Sequence, residues 1–324
     1  MIKEQLVKEI KKLKIIEKPI GIQIPEGLKQ YSEIILDLFK ENEPILFVDP
    51  CYGACDSKDK AAKDLGCKLL IHFGHYKMYT QVIKTIYVPI SYTLNKDELD
   101  FIVFEIKKLK LNKINLVTTI QYIENVKKIK ELLLKENINI IDSKESLRVR
   151  KHMVLGCDTS TIINKTEPII FIGDGTFHAN NLGFINDGQD VIVISPISKY
   201  VKKIEISDKF LRKRYAAIGI CKHANKFGIL VSTKQGQIRL TIARAIKNKL
   251  EEHGKRAYIL VSDYIKQEYL EGIKVDCYVN TACPRLVYDD GTIAFKKPVI
   301  SVTEVDLLFD EEKKLKVDQI TSDI

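Results

Sequence analysis

The chain has 324 residues, 45% hydrophobic and 29% charged, and its 52 Lys and Arg against 43 Asp and Glu give a formal net charge of +9. That composition describes a packed globular protein of two or three domains of roughly 100 to 150 residues and excludes a disordered or low-complexity chain. The start, 1–19, is an amphipathic charged helix pattern without the apolar core of a signal peptide. No segment approaches the roughly 18 uncharged apolar residues of a membrane span, so a cytoplasmic protein with no membrane partner is expected. The many lysines read first as solvated helix faces and second as attraction for an acidic partner surface.

In the first third, apolar runs at 20–24, 45–48, 68–72 and 85–89 read as strands, joined by helical or partly helical connections at 28–41, 58–65 and 78–84. The pattern restarts with a helix ending at 107–110, strands at 114–118 and 138–141 around a helix at 123–136, and strands at 168–173 and 191–195. A third set has strands at 227–232, 257–261, 275–280 and 298–302, separated by helices at 236–253 and 264–272. Strands alternating with helices predict α/β architecture with parallel sheets. No tight internal repeat is present, so a division into 1–108, 109–220 and 221–324 rests on architecture alone. The polar end at 315–324 is expected to fray.

Without export, the seven cysteines belong to core, catalytic or metal-binding roles rather than to disulfides. Three stand where an apolar run gives way to a turn: Cys55 in Tyr52-Gly53-Ala54-Cys55-Asp56, Cys157 in Val154-Leu155-Gly156-Cys157-Asp158, and Cys283 in Ala282-Cys283-Pro284-Arg285. A thiol that only fills a core has no reason to stand there. Cys67, Cys221 and Cys277 lie in or beside apolar runs and read as core. No C-x-x-C pair announces zinc, the nearest approach being Cys51-x-x-x-Cys55. Three loop thiols suit a four-iron four-sulfur cluster with one iron left open for a substrate. Cys51 competes with Cys55 for the first position, and Gly53 and Ala54 favour Cys55 by removing bulk beside it.

Other polar groups gather at strand ends. His72 and His75 flank Gly74, and Phe171-Ile172-Gly173-Asp174-Gly175-Thr176-Phe177-His178 is a strand followed by a small-residue turn, a usual place for ligand contact. Its G-x-G lacks the third glycine of a dinucleotide fingerprint. The stretch from Ser232 to Gln237 runs from a strand into a helix N-terminus suited to a carboxylate or phosphate, or to an ordinary cap. Pro25-Glu26-Gly27-Leu28 is a further strand-to-helix turn, with Glu26 placed for capping.

Six of these motifs, Pro25-Glu26-Gly27-Leu28, Tyr52-Gly53-Ala54-Cys55-Asp56, Gly74-His75, Val154-Leu155-Gly156-Cys157, Lys234-x-Gly236-Gln237-x-Arg239 and Ala282-Cys283-Pro284-Arg285, occur in order along the whole chain. Together the chain resembles the archaeal 2-(3-amino-3-carboxypropyl)histidine synthases of diphthamide biosynthesis. The resemblance implies a homodimer of three similar parallel-sheet, Rossmann-like domains about a pseudo-threefold axis, each giving one cluster ligand, here Cys55, Cys157 and Cys283. It implies an atypical radical S-adenosylmethionine enzyme without the usual C-x-x-x-C-x-x-C, which is absent here as well. The implied reaction moves the 3-amino-3-carboxypropyl group of S-adenosylmethionine to one histidine of translation elongation factor 2. An unidentified electron donor is required, and no nucleic acid is a direct partner. His178, Gln235, Gln237 and Arg285 are the candidate pocket residues, Arg285 either as a bidentate partner of the methionine carboxylate or as a brace of the cluster loop. The alternatives are a zinc-binding structural protein using the same thiols plus Cys51, and a nucleotide-binding α/β transferase with incidental cysteines.

Overall fold

The computed structural model describes residues 2–175, 178–185, 189–290, 295–310 and 312–321. Among these residues are three sheets, mostly parallel. The first comprises β1 (Ile20–Gln23), β2 (Pro44–Phe47), β3 (Leu69–Phe73) and β4 (Thr85–Val88) in the order β2-β1-β3-β4. The second, in the order β6-β5-β7-β8-β9, holds β5 (Lys113–Thr118), β6 (Asn139–Ile140), β7 (Ile169–Ile172), β8 (Val191–Ser195) and β9 (Tyr200–Ile204). The third, β11-β10-β12-β13, is made of β10 (Lys226–Ser232), β11 (Arg256–Ser262), β12 (Cys277–Asn280) and β13 (Val299–Ser301). Central strands β1, β3, β7 and β12 are buried at every position, which is why they read as largely apolar runs rather than alternating ones.

Helix α1 (Ile2–Lys12) precedes β1, and α2 (Ser32–Leu38), α3 (Asp59–Asp64), α4 (Lys96–Lys108), α5 (Val126–Lys135), α6 (Asp208–Lys222), α7 (Leu240–Glu252) and α8 (Gln267–Leu270) lie in the connections between strands. Helices α4 and α5 seal one core with Ile102, Ile106, Ile129 and Leu133 against Ile114, Ile170 and Ile192. In another, α6 and α7 supply Ile218, Ala243, Ile246 and Leu250 against Phe227, Ile229 and Val279. Two compact units result: Met1–Val154, Ser160–Gly175 and Ile192–Lys202 form one, and Leu155–Thr159, Thr176–Val191 and Lys203–Ile324 the other. Among the described residues no helix is long and apolar enough to cross a membrane.

Several elements differ from the sequence expectation. Residues 78–84 are not helical: Asp59 accepts from the Val82 N–H at 2.7 Å and from the Tyr79 hydroxyl at 3.3 Å, which holds the connection open, and Val82 and Ile83 are β-branched. The expected helix at 264–272 shrinks to α8. Helix α6 was not anticipated, because its core-facing stripe includes Arg214, 1% exposed, whose guanidinium pairs with the buried Glu304 at 2.5 and 2.8 Å. Strand β9, largely exposed, also carried no apolar signal.

The end of the chain also departs from the expectation of fraying. Asp318 and Ile320 are 3% and 2% exposed, so residues up to 321 are docked rather than frayed, while 322–324 lie outside the described residues. Asp318 pairs with Arg239 and the Ile320 N–H donates to Cys157 O, partners that composition cannot reveal.

Candidate functional site

In parallel sheets, loops leaving the carboxyl ends of strands are where ligand groups converge. Cys55 lies in a single turn, Ala54–Asp56, reached after β2, and Cys283 follows β12 by three residues. The segment leading to Cys157 runs beside the end of β5, where the Val154 N–H donates to Thr118 O at 2.9 Å. None of the seven cysteines is in a disulfide. Cys55, Cys157 and Cys283 are partly exposed, whereas Cys51, Cys67, Cys221 and Cys277 are buried. The Cys277 thiol is pushed up by its hydrogen bond with Cys221 and then by burial, and burial raises Cys67. A thiolate is the metal-binding form, so those two are poor ligands.

The Cys55 loop is clamped by one side chain of β1. Gln23 donates through Nε2 to Asp56 O at 2.8 Å and accepts at Oε1 from the Lys58 N–H at 2.9 Å, spanning the turn just after the thiol. A Cβ added at Gly53 would stand 3.4 Å from Cys55 Sγ, so the glycine leaves that flank of the sulfur bare.

Beneath this loop lie Cys51, His72 and His75, whose ligand atoms are all within 4.8 Å of one another. Gln23 Oε1 already accepts from a backbone N–H, so His72 must donate to it through Nδ1, at 3.0 Å. His72 Nε2 is therefore the acceptor facing His75 Nδ1 at 2.9 Å, with Cys51 Sγ 3.9 Å away. Burial, with His75 beside it, holds His72 well below its ordinary range, and burial brings His75 down to about 4. Both rings are neutral at pH 7, the state a metal ion needs, and the trio has the donor chemistry for zinc or iron. Gly74 between them has φ +79 and packs on Pro25, where a Cβ would come within 2.9 Å of Cγ, so two of the sequence motifs meet here.

The Cys157 turn is closed by the Leu155 N–H donating to Asp158 O at 2.8 Å and is held from outside by the Ile320 N–H, which donates to Cys157 O at 2.8 Å. Asn181 donates to Gly156 O through Nδ2 and accepts from Arg285 Nη1 at 2.9 Å. Around Cys283, Asn280 Nδ2 donates to the cysteine's carbonyl at 2.9 Å, while Arg239 donates to Thr281 O at 2.7 Å and Ala282 O at 3.0 Å.

Arg285 is 6% exposed and its Nη2 pairs with Asp289 at 2.5 Å. Gln235 is exposed and Gln237 half-buried on a single turn, Gln235–Gln237, but the helix expected to start there begins only at Leu240, after an extended Ile238. The anion-binding helix N-terminus read from the sequence therefore lies several residues further on, with Arg239 as its cap residue. His178 is partly exposed at the start of the turn Ala179–Phe184, and Thr176 and Phe177 lie outside the described residues. The carboxylate of Asp174 is turned inward, accepting from the Tyr122 and Ser195 hydroxyls, and the Gly175 N–H donates to the Tyr200 hydroxyl at 3.0 Å. Sequence reasoning assigned no part to Gln23, Asn181, Arg239 or Asp318. Arg239 stood in a motif and Gln23 at the strand end leading into the Pro25 turn, but the partners of all four are visible only in the fold.

A family model described as putative diphthamide synthesis protein matches residues 24–320. The chain is 36% identical to the 2-(3-amino-3-carboxypropyl)histidine synthase of Pyrococcus horikoshii, covering 98% of this chain and 93% of that one. It is 33% identical to the protein of the same name from Methanocaldococcus jannaschii, over 99% and 93%. A crystal structure of Dph2 from Pyrococcus horikoshii with a 4Fe-4S cluster superposes with a TM-score of 0.88 at 36% identity, over 98% and 93% of the two chains. With these matches running along nearly its whole length, the chain belongs to the diphthamide synthesis protein family.

Proposed function

We propose that this protein is a 2-(3-amino-3-carboxypropyl)histidine synthase, transferring the 3-amino-3-carboxypropyl group of S-adenosylmethionine to a histidine of translation elongation factor 2, with Cys55, Cys157 and Cys283 as the thiolate ligands of one four-iron four-sulfur cluster. The observation that carries the ligand assignment is the division of the thiols. The three partly exposed cysteines are those of the strand-end turns, and the other four are buried. Three thiolates leave one iron without a protein ligand, and the reduced cluster supplies the electron that breaks the bond between sulfonium and γ-carbon when it is bound. The solved relative with a 4Fe-4S cluster favours iron over zinc.

The chain's own residues hold and orient. Gln23 fixes the turn carrying Cys55, and Asn280 and Arg239 fix that carrying Cys283. Gln235, Gln237 and His178 offer amide and imidazole groups to the substrate. Arg285 acts as a brace between loops rather than as the carboxylate partner, because a substrate carboxylate would have to displace Asp289 from Nη2. Which bond of the sulfonium breaks is a matter of positioning, so residues that grip the methionine and adenine ends set the outcome. We further propose one domain per sheet, a homodimer and a separate electron donor.

Anaerobic reconstitution tests the ligand assignment. Wild type should take up four irons and turn brown, with absorption near roughly 400 nm. Cys55→Ala, Cys157→Ala and Cys283→Ala should each lose the cluster, and Cys67→Ala should keep it. A colourless, zinc-loaded protein refutes the assignment.

A further inference from the structure

Resting on the cluster reading above, we propose that the end of the chain is a strap that sets the Cys157 and Cys283 loops, with Arg239 and Asp318 as positioning residues for those two thiolates. Arg239 is 2% exposed, and its planar fork is used in two directions. Nε donates to Thr281 O at 2.7 Å and Nη2 to Ala282 O at 3.0 Å, the two carbonyls immediately before Cys283. Nη1 and Nη2 also pair with Asp318 at 2.8 and 2.5 Å. From Asp318 the chain continues to Gln319, whose Oε1 accepts from the Thr159 N–H at 3.3 Å and hydroxyl at 2.9 Å. The next N–H, of Ile320, donates to Cys157 O at 2.8 Å. One guanidinium thus grips the residues before one thiol, and two residues of chain beyond its partner reach the carbonyl of the other.

The strap has no helix or strand of its own to hold it, yet Asp318 and Ile320 are as buried as core residues. Its order therefore comes from docking. If it served only to cover apolar surface, side chains such as Leu315, which packs on the core, would suffice and its polar groups would face water. Instead the Asp318 carboxylate, the Gln319 amide and the Ile320 N–H all land on groups within two residues of a proposed ligand or on the arginine that holds one. A second tie, from Tyr288, whose hydroxyl accepts from the Asp318 N–H at 2.6 Å, fixes the strap's own register. Buried ion pairs contribute little net stability, and a bidentate arginine fork fixes the relative position of its partners where a lysine could not.

Hydrogen exchange on the full chain without iron reads the strap independently of the cluster. Asp318→Asn and Arg239→Lys should each speed amide exchange of segments 156–160 and 281–285 by about tenfold or more, with β10 amides unchanged. Ile320→Pro deletes one N–H and keeps the ion pair, so it should loosen 156–160 alone, and it decides the question if the charge variants lose protection throughout. Wild-type exchange in these segments overturns the proposal. In the iron-loaded protein, Asp318→Asn should alter the electron paramagnetic line shape of the reduced cluster and release iron to a chelator about tenfold faster, with Asp318→Glu restoring both at least in part. An unchanged line shape and release rate overturn the positioning role. Failure of wild type to take up iron refutes the cluster reading instead, and the exchange result still judges the strap.

Discussion

Replacing Gly74 by alanine should cost more than its backbone angle alone explains. With φ +79, an L-residue there pays about 1–2 kcal/mol for left-handed backbone, and the new Cβ would stand 2.9 Å from Pro25 Cγ, adding about 1–3 kcal/mol of overpacking. The expected total is about 2–5 kcal/mol. Gly66 supplies an internal control: its φ is +81 and nothing lies within 4 Å of an added Cβ, so Gly66→Ala meets only the first penalty. Native-state hydrogen exchange of β1 and β3 amides, converted to opening free energies, measures both variants in the same sheet. The loss at Gly74 should exceed that at Gly66 by about 1–3 kcal/mol. Equal losses would mean that Pro25 yields freely, and that the contact between the Pro25 turn and the His72–His75 strand end braces nothing.

Three further outcomes follow from the same geometry. Glu304→Leu strands the buried Arg214 and should destabilise the third sheet by about 3–5 kcal/mol. Adding Arg214→Met should recover the ion-pair part but not the cap that Glu304 gives the Ser301 N–H at 2.7 Å, and urea unfolding followed by exchange of β13 measures both. For His75, held at about 4 against an ordinary 6.5, the unfolded chain binds more protons between those values. The stability this group contributes is complete above about pH 6.5 and is lost as pH falls toward 4, so acid unfolding of His75→Gln should be shallower than that of wild type; parallel curves contradict the neutral pair. Cys51→Ala should leave the iron count intact, because Cys51 is 2% exposed and faces His72, whereas loss of the cluster in Cys51→Ala but not Cys55→Ala would exchange their roles.

The sheets were legible because their central strands are buried on both faces and leave largely apolar runs, and the turn cysteines because a thiol at such a step has no packing reason to be there. What the sequence hid were polar residues whose value depends on distant partners. Arg214 disguised α6 as a charged stretch, and Asp59 kept 78–84 from coiling through bonds to Tyr79 and Val82. Asp318 made a polar tail look loose although a buried arginine 79 residues earlier was waiting for it. Gln23 was passed over for a similar reason: in a strand it is one more residue, and only the fold brings Asp56, Lys58 and His72 to its amide.

The most direct test is anaerobic incubation of the reconstituted protein with a reductant, S-adenosylmethionine and archaeal elongation factor 2, followed by mass analysis of the histidine peptides. One 3-amino-3-carboxypropyl group should appear on one histidine carbon with methylthioadenosine released, and each of Cys55→Ala, Cys157→Ala and Cys283→Ala should abolish it. Modification by the iron-free protein, or cleavage on the adenosyl side of the sulfonium, would contradict the proposed reaction.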